Sequence, residues 1–364
     1  MKNKVIIILA LLTAMLAQAQ DVVKLLPEKF NDYALNYYLP RTIIEVEFVA
    51  TKTSYKKGPL YQYAPKYLGS HDAITRDEET WTLDYASIIP RGIANTENRY
   101  QMTFKAGQTP YIYISTENTI LSANTLPITQ DTDTFPLVEQ ALSTEIDMTK
   151  VLTEEILMSG SVAKMAELTA KQIYFIRQSR IDLLTGEADN IPSDGESLRI
   201  IIEQLEQQES ALMALFLGQK TTERHIKRIV YTPGSEDVSN HILTRFSTRQ
   251  GFVDATDLSG APIYLTINII ERGEYPVDNK GNIKSVPKGA IAYTIPGKAN
   301  ILIKYNKDEL INTDMYIAQL GVVFGLDPAL LTHKKEPTYV VFDPVTGAIS
   351  VIMVLQRVYL FLKI

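Results

Sequence analysis

Residues with the types and spacing to do chemistry gather first in Leu183–Arg199, LLTGEADNIPSDGESLR, where Glu187, Asp189, Asp194 and Glu196 surround two glycines and a proline. Carboxylates at that density can hold a hard cation. A calcium loop, however, needs alternating oxygen ligands ahead of a turn glycine and a bidentate glutamate at its end. Asp189 stands one position too far before Gly195, and Ile191-Pro192 falls where ligands belong. Helix capping accounts for the same residues without an ion. Gly186 sits where a helix end needs a residue free to turn left-handed. Ser193 precedes Glu196 by three, the spacing of a capping box, and Asp194 and Glu196 suit the positive end of a helix dipole. The expectation is a tight bend between two helices with Gly186, Ser193 and Glu196 as capping residues; Glu187 and Asp189 receive no role.

The four histidines, His71, His225, His241 and His333, are scattered, and none has the i, i+4 partner of a zinc ligand pair. No nucleophile elbow, phosphate-binding loop or dinucleotide fingerprint is present. Paired carboxylates of glycosidase type have no universal local motif, so a hydrolase built from distant acids stays open. No catalytic residue, metal ligand or cofactor site is assigned. Aromatic residues supply the remaining chemistry. In KKGPLYQYAPKYLG (Lys56–Gly69), Tyr61, Tyr63 and Tyr67 accompany Gly58-Pro59, which can open a helical turn, and Gly69, which can close it. A tyrosine buries ring area while its hydroxyl stays wet, so Tyr61, Tyr63, Tyr67 and the single tryptophan, Trp81, form the candidate binding surface; tyrosine rings in such a cluster more often cap the end of a sheet.

The elements that must position these residues follow from periodicity. From Leu39 to about Ile156 the period is mostly two: Ile44, Val46, Phe48 and Ala50 share one strand face. YQMTF (Tyr100–Phe104) and PYIYIST (Pro110–Thr116) suggest a hairpin with Gly107 in its turn. From Glu154 the period becomes helical, with one stripe through Val162, Met165, Ala166, Ala170, Ile173, Ile176 and Leu184 and a second through Leu198, Ile201, Ile202, Leu205, Leu212, Leu215 and Phe216. Two such helices joined by a short loop pack antiparallel, and Arg177 and Arg180 can meet Glu203, Glu206 or Glu209. After Gly218 the period returns to two, with turns at regular spacing. The expected fold is α+β and mostly β, two β-sandwich-like units separated by a long antiparallel helical hairpin. Its segments are a signal peptide 1–19, an N-terminal β domain 20–153, the hairpin 154–219, a C-terminal β-sandwich-like domain 220–349 and an apolar tail 350–364.

Lys2 and Lys4, the apolar run Val5–Leu16 and Ala17-Gln18-Ala19 read as a signal peptide cleaved before Gln20. Nothing later is apolar enough to span a membrane, so no transmembrane segment is expected after cleavage. Cysteine is absent, which removes a disulfide framework and the lipid-bearing cysteine of exported lipoproteins. The formal charge of −6, without a basic run, disfavours a nucleic-acid partner; Arg224, Lys227 and Arg228 read as a solvated face.

The phrases VATKTSYKKGPLYQYAPKYLG, KQIYFIRQSRIDLLTGEADNIPSDG, ALMALFLG, RFSTRQGFVDATDLSGAPIYL and FDPVTGAI resemble the domain of unknown function 4831 family, exported proteins of Bacteroides-like bacteria. The resemblance runs from about Leu39 to Ile349. It implies a Gram-negative envelope setting, periplasmic or outer-membrane associated, and carries over no catalytic or binding residue. Members of that family end soon after the DPVTGAI-like strand, whereas this chain continues through Ser350–Ile364. The foremost functional expectation is a noncatalytic envelope interaction or assembly protein whose partner is an envelope protein or a glycan. A glycan- or peptide-binding module using tyrosine-rich loops, and a carboxylate-based hydrolase, are the alternatives.

Overall fold

The computed structural model describes residues 34–104, 110–128, 134–135, 151–190, 192, 194–287, 289–333, 338–354 and 357–359. In chain order the elements are β1 (Ala34–Lys56), α1 (Ala64–Leu68), β2 (Glu78–Thr103), β3 (Ile112–Ile114), β4 (Ile120–Ala123), α2 (Glu154–Leu157), α3 (Val162–Thr185) and α4 (Gly195–Leu217). Strands β5 (Gln219–Tyr231), β6 (Val238–Ser247), β7 (Gly251–Val253), β8 (Ala261–Glu271), β9 (Ile291–Tyr305), β10 (Asp308–Leu326), β11 (Thr338–Phe342), β12 (Ile349–Val354) and β13 (Arg357–Tyr359) follow. The result is a mixed α+β fold dominated by strands, with two long packed helices among β-rich units.

Strand β1 organises the molecule. Its 23 residues extend roughly 75 Å at the usual rise and pair with β2 on one side and β5 on the other, in the order β2-β1-β5. Ile44, Val46, Phe48 and Ala50 alternate onto one face. They pack against Phe246 of β6, Ile263, Leu265 and Ile267 of β8, and Ile301 and Ile303 of β9. That second sheet runs β10-β9-β8-β6-β7, so the first core is a sandwich of two sheets. Nearer its start β1 enters another core: Tyr37 and Leu39 meet Ile120, Ala123, Val340 and Phe342, over a third sheet ordered β13-β12-β11-β4-β3. The Tyr37 hydroxyl donates to the Ala292 carbonyl (3.3 Å) and accepts from the Ala292 amide (2.6 Å). Burial pushes this phenol's pKa well above its ordinary value.

Strands from both sides of the helical segment share sheets. β5, which follows the helices, zips to β1 from Ile44↔Tyr231 to Lys56↔Gln219, and β4 pairs with β11. The expected N- and C-terminal β units therefore exist as sheets but not as contiguous stretches of chain. Alternation tells which face of a strand is buried and carries no information about its neighbour. Two local expectations also change. β3 pairs with β4, across a turn holding Asn118 at φ +60°, and not with β2; Gly107 lies outside the described residues. The tail boundary at 349 falls on the first residue of β12, which pairs with β11 from Phe342↔Ile349 to Thr338↔Val354. Ile349 and Ile352 pack on the second core, so the start of the tail is a sheet strand; residues 360–364 lie outside the described residues, as does the N-terminal 1–33.

Candidate functional site

The helices leave the sheets at one end, where Lys56 pairs with Gln219. α3 begins at Ser161, whose side chain accepts from the Lys164 amide, and stops at Gly186 with φ +83°. α4 begins at Asp194, whose carboxylate accepts from the Ser197 amide at 2.7 Å. The N-cap is thus one residue later than the capping box requires, and Ser193 lies outside the described residues. Glu196 turns to Arg199 (3.0 Å) rather than back to the cap. Two adjacent residues of capping type leave the sequence one position ambiguous, and the carboxylate is the better acceptor. The Ser197 amide holds the Asp194 carboxyl below its ordinary range. No group of three or more His, Asp or Glu side chains able to hold a metal ion occurs among the described residues.

Between the helices, Arg177 reaches Glu209 at 2.6 Å, and Arg180 reaches Glu209 at 3.2 Å and Glu206 at 3.4 Å. Glu203 pairs instead with Arg199 of its own helix. Glu209 is nearly buried, so these contacts fix the relative register of α3 and α4.

The tyrosine-rich segment packs on the near half of this hairpin. Gly58 approaches so closely that a Cβ there would stand 2.1 Å from the Leu215 carbonyl oxygen, and the Leu60 amide donates to that same oxygen at 2.8 Å. Leu60 and Ala64 insert fully among Ala170, Ile173, Leu212 and Phe216. Tyr174 donates its hydroxyl to the Tyr67 carbonyl (2.8 Å), and the Tyr63 and Tyr67 rings lean together at 6.3 Å. Tyr61 is the first residue of the 3₁₀ turn Tyr61–Tyr63 at the head of the wedge. Trp81 stands apart from them: its indole meets His225 with ring centroids at 4.5 Å and lies under Gly251, where a Cβ would come within 2.7 Å. The four aromatic residues do not share one groove.

A carboxylate-rich cleft of about 380 Å³ is lined by Tyr55, Lys57, Asp77, Glu78 and Glu79. Asp77 accepts from the Lys57 amide (2.7 Å), Glu78 pairs with Arg76 (2.9 Å) and Glu79 with Lys52 (2.8 Å). The bond to Lys52 draws the Glu79 pKa down, the opposite of what a general acid needs. Among the described residues the histidines form no shared site: His225 meets Trp81 with tilted rings, and His241 meets Tyr231 in the same way at 5.1 Å.

Beyond the wedge the hairpin changes character. Leu184 lies three helical turns past Ile173 on the same line of α3, yet Ile173 is 0% exposed and Leu184 is 64%. On α4, Ile201 lies three turns before Leu212, and exposure rises from 1% to 40%. Ile181 and Ile200 are also open. Sequence periodicity puts Leu184 and Ile201 in the core stripes; the structure shows both exposed beyond the position of the wedge. No helix among the described residues is long and apolar enough to cross a membrane.

A strand-dominated α+β protein carrying a wedged, projecting helical hairpin is the class these features define. The chain belongs to the family described as Domain of unknown function (DUF4831), which matches residues 33–350. No curated protein and no solved structure matches it. The phrases that carry the resemblance perform architectural work. Arg245 donates to the Ala255 (2.8 Å) and Gly260 (3.0 Å) carbonyls to fold the β7–β8 loop. Asp343 accepts from the Val345 amide (2.8 Å) and the Thr346 hydroxyl (3.0 Å), and Gly92 lies under the Pro344 carbonyl.

Proposed function

We propose that this protein is a noncatalytic interaction or assembly protein of the cell envelope, and that the outer half of the α3–α4 hairpin is the surface through which it acts. The observation that carries this reading is the change of exposure along a single apolar stripe, from Ile173 to Leu184 and from Leu212 to Ile201. Apolar side chains gathered at the end of a projecting element mark an interaction site more often than chance exposure does. The envelope setting rests on the leader-like Lys2–Ala19 pattern. A glycan-binding module working through Tyr61, Tyr63, Tyr67 and Trp81 has less support, because Tyr63 and Tyr67 pack on the hairpin and Trp81 packs under Gly251.

The test is site-specific photo-crosslinking in the native envelope, with the reactive group at Ile181, at Ile201 and, as control, at Gln207 on the solvent side of α4. Discrete protein adducts from Ile181 and Ile201, and none from Gln207, are expected. Adducts that are absent, or equal at all three positions, overturn the reading.

A further inference from the structure

We propose that a cavity where β1, β2, β9 and β10 meet is a binding site for a carboxylate, with Arg41 as the group that holds it. The site is separate from the hairpin and does not depend on the interaction reading above. Both sheets break register at the same place. β2 has residues 95–98 in excess between Ala94, opposite Pro40, and Arg99, opposite Tyr38; β10 has 318–321 in excess between Ile317, opposite Gly297, and Val322, opposite Ile295. Bulges re-aim side chains and are over-represented beside functional sites. Here they border a cavity of about 80 Å³ lined by Leu39, Arg41, Asn95, Tyr100, Gln319 and Val322.

Unmet hydrogen-bonding capacity defines the occupant. On the same sheet Arg91 meets Glu45 at 2.6 Å and Arg228 meets Glu47 at 2.8 Å. Arg41 is partly buried, its Nε is closed to water with no hydrogen-bond partner, and no described carboxylate pairs with it. A desolvated donor of this kind costs free energy until an acceptor reaches it, and the planar fork of a guanidinium matches a carboxylate with two parallel hydrogen bonds. The neighbouring acids do not fill that role: Glu117 accepts from the Ala94 amide at 2.9 Å, and neither it nor Glu97 lines the cavity. The Asn95 side-chain oxygen accepts from the Glu97 amide (3.2 Å), which leaves its NH2 group as a second donor at the cavity, and the Tyr100 hydroxyl is a third. Gln319 is committed to the Thr42 amide and carbonyl (3.0 and 2.7 Å) and serves as wall. Leu39 and Val322 suit a short aliphatic chain behind the carboxylate. The volume lies well under the roughly 300 Å³ at which sites for drug-sized ligands begin. No lysine joins Arg41 in the lining, so a monoanion fits the charge better than a phosphate does. The acceptor is the carboxylate of a short aliphatic acid or of a glutamate side chain on another protein.

Titration of the purified protein with propionate, with acetyl-Gly-Glu-Gly-amide and with inorganic phosphate, read by calorimetry and thermal melting, tests this. Saturable binding of propionate or of the peptide, with a rise in melting temperature, is expected; the first marks a free acid as the occupant and the second a protein side chain. Arg41→Gln should weaken that binding about 10-fold or more, and Arg41→Lys, which keeps the charge and loses the fork, should weaken it as well. Both variants should melt as wild type does without ligand. If Arg41→Gln does not fold, Val322→Phe, which fills the apolar side of the cavity, is expected to abolish binding in its place. No saturable response to either carboxylate, a response that Arg41→Gln or Val322→Phe leaves unchanged, or tighter binding of phosphate than of either carboxylate overturns the inference.

Discussion

The inner and outer halves of the α3–α4 hairpin have the same apolar periodicity and opposite surroundings. Around Ile173 and Leu212 the stripe is sealed by Leu60 and Ala64; around Leu184 and Ile201 it meets solvent. The pattern that makes a helix amphipathic is thus silent on what covers it. In this chain the cover is a short turn held by a glycine approach and one backbone hydrogen bond to Leu215.

The contrast can be broken most severely from inside. Ile173→Ala removes a fully buried side chain and is expected to cost about 2–5 kcal/mol, whereas Leu184→Ala should stay within about 0.5 kcal/mol of wild type; urea denaturation of both variants measures the difference. Lifting the wedge should make the halves alike. Gly58→Ala drives a methyl into the Leu215 carbonyl and is expected to cost about 1–3 kcal/mol, with amide exchange around Ile173 rising toward that around Leu184. A smaller change tests the register. Arg177→Ala leaves the nearly buried Glu209 with Arg180 alone and is expected to cost about 1–2 kcal/mol, read by thermal melting.

The smallest effect is at the far end. Asp194→Ala should speed amide exchange in the first turn of α4, while Asp194→Asn, which still caps, should not. Because the folded Asp194 carboxyl titrates below its ordinary value, its contribution is full above an unfolded pKa of about 3.9. It is lost as pH falls through the lower folded value. Exchange at Ser197 followed downward in pH should show that loss in wild type and not in the Ala variant.

Residues whose roles are local were legible before the structure. The two helical stripes, the left-handed Gly186 and the closing Gly69 at φ +65° each follow from a few neighbours along the chain. Arg177 and Arg180 were placed against the correct helix, and two of three candidate partners were met. Partners distant in sequence were not legible: nothing in β1 announces β5 rather than a strand nearer by, and nothing in FDPVTGAI shows that the strand beginning at Ile349 is shared by core and tail. The tyrosines illustrate the same limit. An aromatic ring suits a binding groove and a packed wedge equally, and only Gly58 on Leu215 distinguishes the two.

The interleaving of sheets also sets the order in which this molecule can be made. Glu47 waits for Arg228, 181 positions later; Tyr37 waits for Ala292, 255 later; Thr42 accepts its place beside Val345 only 303 residues on. Until β5 has emerged, β1 has β2 alone as a strand neighbour, and its row of alternating isoleucine, valine and phenylalanine stays uncovered until β8 and β9 follow. Such high contact order predicts slow folding, and an open strand of that composition invites association with other chains. The α3–α4 hairpin, whose helix-to-helix contacts are short in sequence, is the segment able to form first while the strands on either side of it are still unpaired.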